Sequence, residues 1–74
     1  MNFEELIHNL TQHLELMQVE FDIDNFGESL DSLDRLEVME YLISCTGKDL
    51  DYLIVEAEAW KTLKRLVDEV VGSG

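Results

Sequence analysis

Three stretches of this 74-residue chain repeat apolar residues every three or four positions, which is the spacing of one face of an α-helix. The apolar positions are Phe3, Leu6, Ile7, Leu10 and Leu14, then Leu33, Leu36, Val38, Met39 and Leu42, then Leu63, Leu66, Val67, Val70 and Val71. A chain this short has room for one small core, so three such faces predict an all-α bundle. We expect a single domain over residues 1–71 and a flexible tail over residues 72–74.

Capping residues beside these stretches indicate where the helices begin and end. Asn2, followed three residues later by a glutamate, resembles a capping box, so the first helix should start there and run to about Leu16. The second helix should begin at Asp31 or Ser32, because Asp31 is a favourable N-cap. Gly47 is its expected end, since glycine accepts the left-handed backbone conformation that often closes a helix.

The helical period fades over residues 17–30. Phe21, Ile23 and Phe26 alternate there with polar residues, and a turn at Gly27 follows. We interpret this stretch as a long loop whose aromatic side chains pack back onto the core. A short strand is the alternative, but nothing else in the chain offers it a clear pairing partner.

The stretch before the last helix allows two interpretations. Residues 48–58 predict a short third helix, although the apolar positions from Leu50 to Val71 also fit one long helix. Thr62 is a credible N-cap, and Trp60 just before it could pack as a hydrophobic staple, so we favour a separate last helix. The predicted architecture is three main helices and one short helix, with a long loop between helices 1 and 2.

The charge of the chain is strongly one-sided. Seventeen Asp and Glu face five Lys and Arg, which gives a net charge of −12, and no Lys or Arg precedes Arg35. Such a surface repels nucleic acid and anionic lipid and attracts basic protein surfaces, although acidity alone also keeps a small domain soluble. No apolar run approaches the roughly 20 residues of a membrane span, and the N-terminus lacks signal-peptide features. We expect a cytoplasmic monomer with protein partners, without nucleic acid and without a membrane span.

Metal and catalytic patterns are weak. Residues 22–27 resemble the start of a calcium loop, but two essential oxygen ligands of that pattern are missing, so we reject a calcium site. His8 and His13 are five apart on a helix and should point to different faces, as ordinary surface residues. The lone Cys45 excludes an internal disulfide and is expected to be a buried structural thiol.

The run from Asp31 to Leu42 carries a distinctive motif. An Asp-Ser-Leu triplet centred on Ser32 opens the second predicted helix, and Asp34 and alternating acidic and apolar residues follow. This run closely resembles the signature of acyl and peptidyl carrier proteins. The preceding loop, the start of the last helix, the length and the acidity resemble the same family. The resemblance spans nearly the whole chain, but only the Ser32 region is specific, and the triplet alone is also an ordinary helix cap.

The sequence Ser-Leu-Asp occurs twice, at Ser29 and at Ser32. A modified serine at Ser29 would lose the preceding aspartate of the family motif. It would also put Arg35 and Glu37 at positions where the family has apolar residues. Ser32 preserves both features, so the resemblance assigns the modification to Ser32.

The resemblance implies a carrier rather than an enzyme. A phosphopantetheinyl transferase would move 4′-phosphopantetheine from coenzyme A onto Ser32, flanked by Asp31 and Leu33, with Asp31 helping to present the serine. The thiol of the arm would hold acyl, aminoacyl or malonyl-type groups as thioesters. Implied partners are the transferase, an acyl-loading ligase or acyltransferase, and downstream synthase enzymes with basic patches. Phe26, Tyr41 and Trp60 could line a cargo cleft, although filling the core is their favoured role.

By the same resemblance, Asp34, Glu37 and Glu40 offer an acidic face to partners, with Arg35 beside it. Arg35, Glu40 and the weakly charged residues 41–45 depart from the family's usual pattern, which predicts a specialised carrier rather than one for general fatty-acid synthesis. The main alternative is a non-enzymatic acidic adaptor that binds a basic partner. A small hydrolase with Ser32 as nucleophile is a third reading, which lacks a base and a pocket.

Overall fold

The computed structural model describes residues 2–72, and this part of the chain is helical without any strand. The predicted all-α bundle is therefore confirmed. The α-helices are α1 (Phe3–Leu16), α2 (Phe26–Ser29), α3 (Ser32–Thr46) and α4 (Leu63–Gly72), and two 3₁₀ helices span Asp51–Ile54 and Ala57–Trp60. Helix α4 runs one residue beyond the predicted last residue of the domain, and the rest of the predicted tail, residues 73–74, lies outside the described residues.

The three predicted N-caps are confirmed. In each, the side-chain oxygen accepts a hydrogen bond from the backbone N–H three residues later, at 2.8 Å for Asn2, 2.8 Å for Asp31 and 3.0 Å for Thr62. Each bond satisfies a donor that the start of a helix leaves free, which stabilises the helix by about 1 kcal/mol. Gly47 ends α3 as expected, with φ of +68° and its N–H donating to the Ile43 carbonyl at 2.8 Å.

Two local assignments from the sequence are wrong. The predicted first loop contains the four-residue helix α2, which is too short to leave a periodic pattern in the sequence. The predicted short α-helix within residues 48–58 is instead replaced by the two 3₁₀ helices. Leu50 and Leu53 are both fully buried, and a spacing of three suits the three-residue turn of a 3₁₀ helix.

The core forms where α1 packs against α3 and α4. The buried side chains are Leu6, Leu10, Leu14, Phe26, Leu30, Val38, Met39, Leu42, Leu50, Leu53, Ala59, Trp60, Leu63, Leu66, Val67 and Val70. Phe26 stacks on Trp60 with ring centroids 6.3 Å apart, and Phe21 meets Phe26 edge-on at 5.9 Å. The prediction that the loop aromatics pack onto the core is confirmed.

The burial of one histidine differs from the sequence-based prediction that both histidines are surface residues. His8 is exposed, but His13 is half-buried between α1 and α3. Its Nε2 lies 3.1 Å from Glu37 Oε1, and its ring stacks on Tyr41 with centroids 4.1 Å apart. The surface prediction is therefore wrong for His13, because a partner on α3 covers one side of its helix.

Cys45 is half-buried rather than fully buried and packs against the core. Burial, and then a hydrogen bond with Cys45, raise the pKa of the Tyr41 hydroxyl above its ordinary value. Tyr41 thus contacts both Cys45, on its own helix, and His13 of α1.

Candidate functional site

A groove of about 740 Å³ opens between the first half of α3 and the two 3₁₀ helices. Five large apolar side chains form much of its wall: Leu36, Met39, Ile54, Val55 and Trp60. Its polar lining consists of Asp24, Asn25, Glu28, Ser32, Arg35, Glu58, Lys61 and Thr62. A concave site with an apolar wall and a few polar groups at its edge is the usual form of a small-molecule binding site.

One face of α3 supplies the helical side of this groove. Ser32, Arg35, Leu36 and Met39 follow the spacing i, i+3, i+4 and i+7, which places them on one side of a helix. From the sequence, Leu36 and Met39 were expected on the apolar face of the helix, without a connection to Ser32. The same spacing rule that predicted the helix could have identified this face.

Backbone contacts fix the opposite edge of the groove. The Phe26 N–H donates to the Lys61 carbonyl at 3.1 Å, which ties α2 to the end of the second 3₁₀ helix. Gly27 lies so close to Trp60 that a Cβ added there would stand 2.7 Å from Trp60 Cβ. The indole N–H of Trp60 donates to the Leu53 carbonyl at 2.8 Å, which holds the ring in the wall.

Ile54 and Val55 are large apolar residues that the fold leaves exposed. Ile54 and Val55 keep 66% and 81% of their accessible surface, and they lie at the end of the first 3₁₀ helix, where they line the groove. The sequence did not predict this exposure, because residues 54 and 55 fall within the short helix predicted over residues 48–58.

Ser32 is the first residue of α3 and lies exposed at the groove. Within residues 2–72, its hydroxyl has no hydrogen-bond partner. The free backbone N–H groups and the positive end of the helix dipole make such a position tolerant of a phosphate group. The hydroxyl is therefore accessible to a second protein.

The competing serine differs in its hydrogen bonds. The Ser29 hydroxyl accepts from the Asp22 N–H at 3.0 Å and donates to the Phe26 carbonyl at 2.7 Å. Modification of that oxygen would break at least one of these bonds and disturb α2. The geometry therefore favours Ser32 over Ser29 as the site of a covalent group.

The two residues that flank Ser32 have different surroundings. Asp31 is exposed, and one of its carboxylate oxygens is engaged as the cap of α3. Leu33 keeps 76% of its surface accessible and does not line the groove. An apolar side chain this exposed beside Ser32 is available for contact with another protein.

The four candidate recognition residues are spread over more than one face of α3. Asp34 and Glu37 are half-buried, and Glu37 is paired with His13 of α1. Arg35 lines the groove and its guanidinium donates to the Gly27 carbonyl. Glu40 is exposed. Arg35 and Glu37 are thus engaged in contacts within the chain, while Glu40 is exposed.

Carboxylates and cationic groups are the ionisable side chains in the described lining of the groove. No histidine or cysteine stands among the described residues that line it. A search of residues 2–72 also finds no group of three or more His, Cys, Asp and Glu side chains that could hold a metal ion. In the same part of the chain, no helix is long and apolar enough to cross a membrane.

Comparison of this chain with protein-family models, with curated proteins and with solved structures found no match.

Proposed function

We propose that this chain is a carrier protein that holds acyl, aminoacyl or malonyl-type groups as thioesters on a 4′-phosphopantetheine arm attached to Ser32. The observation that carries the proposal is the free, exposed hydroxyl of Ser32 at the first position of α3, at the edge of a groove with an apolar wall. The resemblance of the Asp31-Ser32-Leu33 motif to carrier proteins supports the same residue.

The attachment step is a phosphoryl transfer that a partner enzyme catalyses. The Ser32 oxygen forms a bond to the phosphorus that bears the pantetheine arm, and the adenosine bisphosphate half of coenzyme A leaves. The hydroxyl proton passes to a base that the phosphopantetheinyl transferase supplies. Ser32 acts as an attachment point, so the chain itself is not an enzyme.

In this proposal, the arm and its cargo bind in the groove. Its volume of about 740 Å³ lies in the usual range for small-molecule sites, and Leu36, Met39 and Trp60 offer apolar contact. A thioester that lies there is partly shielded from water. Tethering also keeps its local concentration high at each partner enzyme.

The acidity of the chain supports the proposal that its partners are enzymes with basic surfaces. A net charge of −12 attracts basic patches on a transferase, on an acyl-loading ligase or acyltransferase, and on downstream synthase enzymes. Charge steering of this kind favours fast association and release, which suits a carrier that visits several enzymes in the cytoplasm.

Intact mass spectrometry tests the proposal directly. After incubation with coenzyme A and a broad-specificity transferase, the wild-type chain should gain the mass of one phosphopantetheine group. The gain should disappear in Ser32→Ala and persist in the matched control Ser29→Ala. A gain that persists in Ser32→Ala would contradict the assignment.

The second candidate is an acidic adaptor without an arm, which the exposed apolar residues Leu33, Ile54 and Val55 also suit. A wild-type chain that stays unmodified with several transferases would favour the adaptor. Within the carrier proposal, we favour a specialised pathway because Arg35 and Glu40 depart from the usual carrier pattern. Efficient turnover of the loaded chain by housekeeping fatty-acid enzymes would contradict that part.

A further inference from the structure

Arg35 and Ser32 lie one turn apart on the same face of α3, and both line the groove. Helix side chains lean toward the N-terminus, so a long side chain at residue 35 extends back over the first turn of the helix. The observed guanidinium bonds to the carbonyl of Gly27 in α2, and Gly27 lines the same groove as Ser32. We therefore expect the cationic group at residue 35 to be within reach of a group attached to Ser32.

Hydrogen bonds to Gly27 hold the Arg35 guanidinium in place but use only part of its N–H donors. Its Nε–H donates to the Gly27 carbonyl at 3.0 Å, and one Nη2–H donates to the same oxygen. Arginine has five N–H donors, so three remain, and none of them has a partner within the part of the chain that the structure describes. A guanidinium that is already fixed loses little side-chain entropy when it binds a further acceptor.

The charges around the groove favour an anionic ligand for the remaining N–H groups of Arg35. Two cationic side chains line the groove in the described chain, Arg35 and Lys61, and Lys61 Nζ is paired with Glu58 Oε1 at 3.3 Å. Arg35 has no carboxylate within ion-pair distance among residues 2–72. A phosphodiester on Ser32 would add a negative charge to a chain that already carries −12.

We infer that Arg35 binds the phosphodiester of an arm attached to Ser32 and turns the arm into the groove. The inference rests on the proposed function. The three free N–H groups of the guanidinium match phosphate oxygens in geometry and charge. Arg35 is a positioning residue in this role: it sets the direction of the arm, and it forms or breaks no covalent bond.

A comparison of thermal unfolding separates this role from the structural bond to Gly27. The melting temperatures of the apo and phosphopantetheinylated forms are measured for wild type and for Arg35→Gln. Loss of the Gly27 bond affects both forms of the variant and cancels in the difference between them. We expect the holo-minus-apo difference in Tm to fall by about 4 °C or more in Arg35→Gln.

Two further variants control this comparison. Lys61→Gln removes the same charge from the other wall of the groove and should keep the wild-type difference. Arg35→Lys keeps the charge without the planar fork and should give an intermediate difference. Equal differences in wild type, Arg35→Gln and Arg35→Lys would overturn the inference.

A spectroscopic measurement needs no variant. The NMR resonance of the Arg35 Nε–H should shift when apo protein is converted to holo protein, while that of Arg65 on α4 should stay in place. A resonance of Arg35 that does not move overturns the inference. A chain that gains phosphopantetheine on Ser32 but shows neither effect overturns the role of Arg35 alone, whereas a chain that gains no such mass overturns the proposed function as well.

Discussion

Helix α3 presents two faces that the fold treats differently. The face toward α1 is closed: Val38 and Leu42 are fully buried, and Glu37 is bonded to His13. The face toward the groove is open: Leu36 keeps 51% of its surface accessible, and the Ser32 hydroxyl is without a partner in residues 2–72. One helix therefore holds the bundle together with one side and leaves the other side for contact with another molecule.

The largest test of this contrast compares truncations on the two faces. Leu42→Ala should lower the free energy of unfolding by about 2–5 kcal/mol, because it leaves a cavity in the closed face. Leu36→Ala should cost less than about 1 kcal/mol, because its side chain is half exposed. Urea denaturation measures both, and equal losses would show that the groove face is as tightly packed as the closed face.

A smaller effect is expected where α2 meets the wall of the groove. In Gly27→Ala the new Cβ would stand 2.7 Å from Trp60 Cβ and 2.9 Å from the Trp60 carbonyl oxygen, so one of the two elements must move. Overpacking of this kind should cost about 1–3 kcal/mol in urea denaturation.

Gly72 provides the matched control for this substitution. A Cβ added there would meet nothing within 4 Å, so Gly72→Ala should leave stability unchanged or slightly higher. A Gly27→Ala protein as stable as wild type would mean that the contact between α2 and Trp60 is loose.

The smallest expected effect is a loss of stability at high pH that is linked to Tyr41 of α3. The pKa of Tyr41 is raised above 10.0 in the folded protein, mainly by burial, so the unfolded chain loses this proton first as the pH rises. Stability linked to Tyr41 is fully present below pH 10.0 and is lost as the pH rises from 10.0 through the folded pKa. Tyr41→Phe should therefore lose less stability than wild type between roughly pH 9 and pH 11.

Thermal unfolding at the two pH values measures this loss, and Tyr52→Phe is the matched control, because Tyr52 is exposed. Titrating lysines are common to all three proteins and cancel in the comparison. An identical loss of stability in wild type and Tyr41→Phe would show that the pKa of Tyr41 is the same in the folded and the unfolded chain.

Local rules predicted the regular parts of this fold. The caps at Asn2, Asp31 and Thr62 and the end at Gly47 depend on hydrogen bonds between residues three or four apart, so the sequence contains both partners side by side. The spans of α1 and α3 followed from these caps and from the apolar spacing.

Long-range contacts account for what the sequence did not predict. Helix α2 depends on a bond from Phe26 to the Lys61 carbonyl, 35 positions away, and His13 depends on Glu37, 24 positions away. Neither partner can be chosen from spacing alone. Ser32 was identified as the candidate site from its motif, whereas the groove beside it needed the folded positions of the 3₁₀ helices.

Trp60 connects the fold to a direct optical measurement. It is the only tryptophan in the sequence, its ring stacks on Phe26, and it is one of the residues that line the groove. Its fluorescence therefore reports on the polarity of the groove without any added label. An arm or cargo that enters the groove should change that emission, whereas one that remains in solvent should leave it unaltered, so occupancy of the groove can be followed in real time on the native chain.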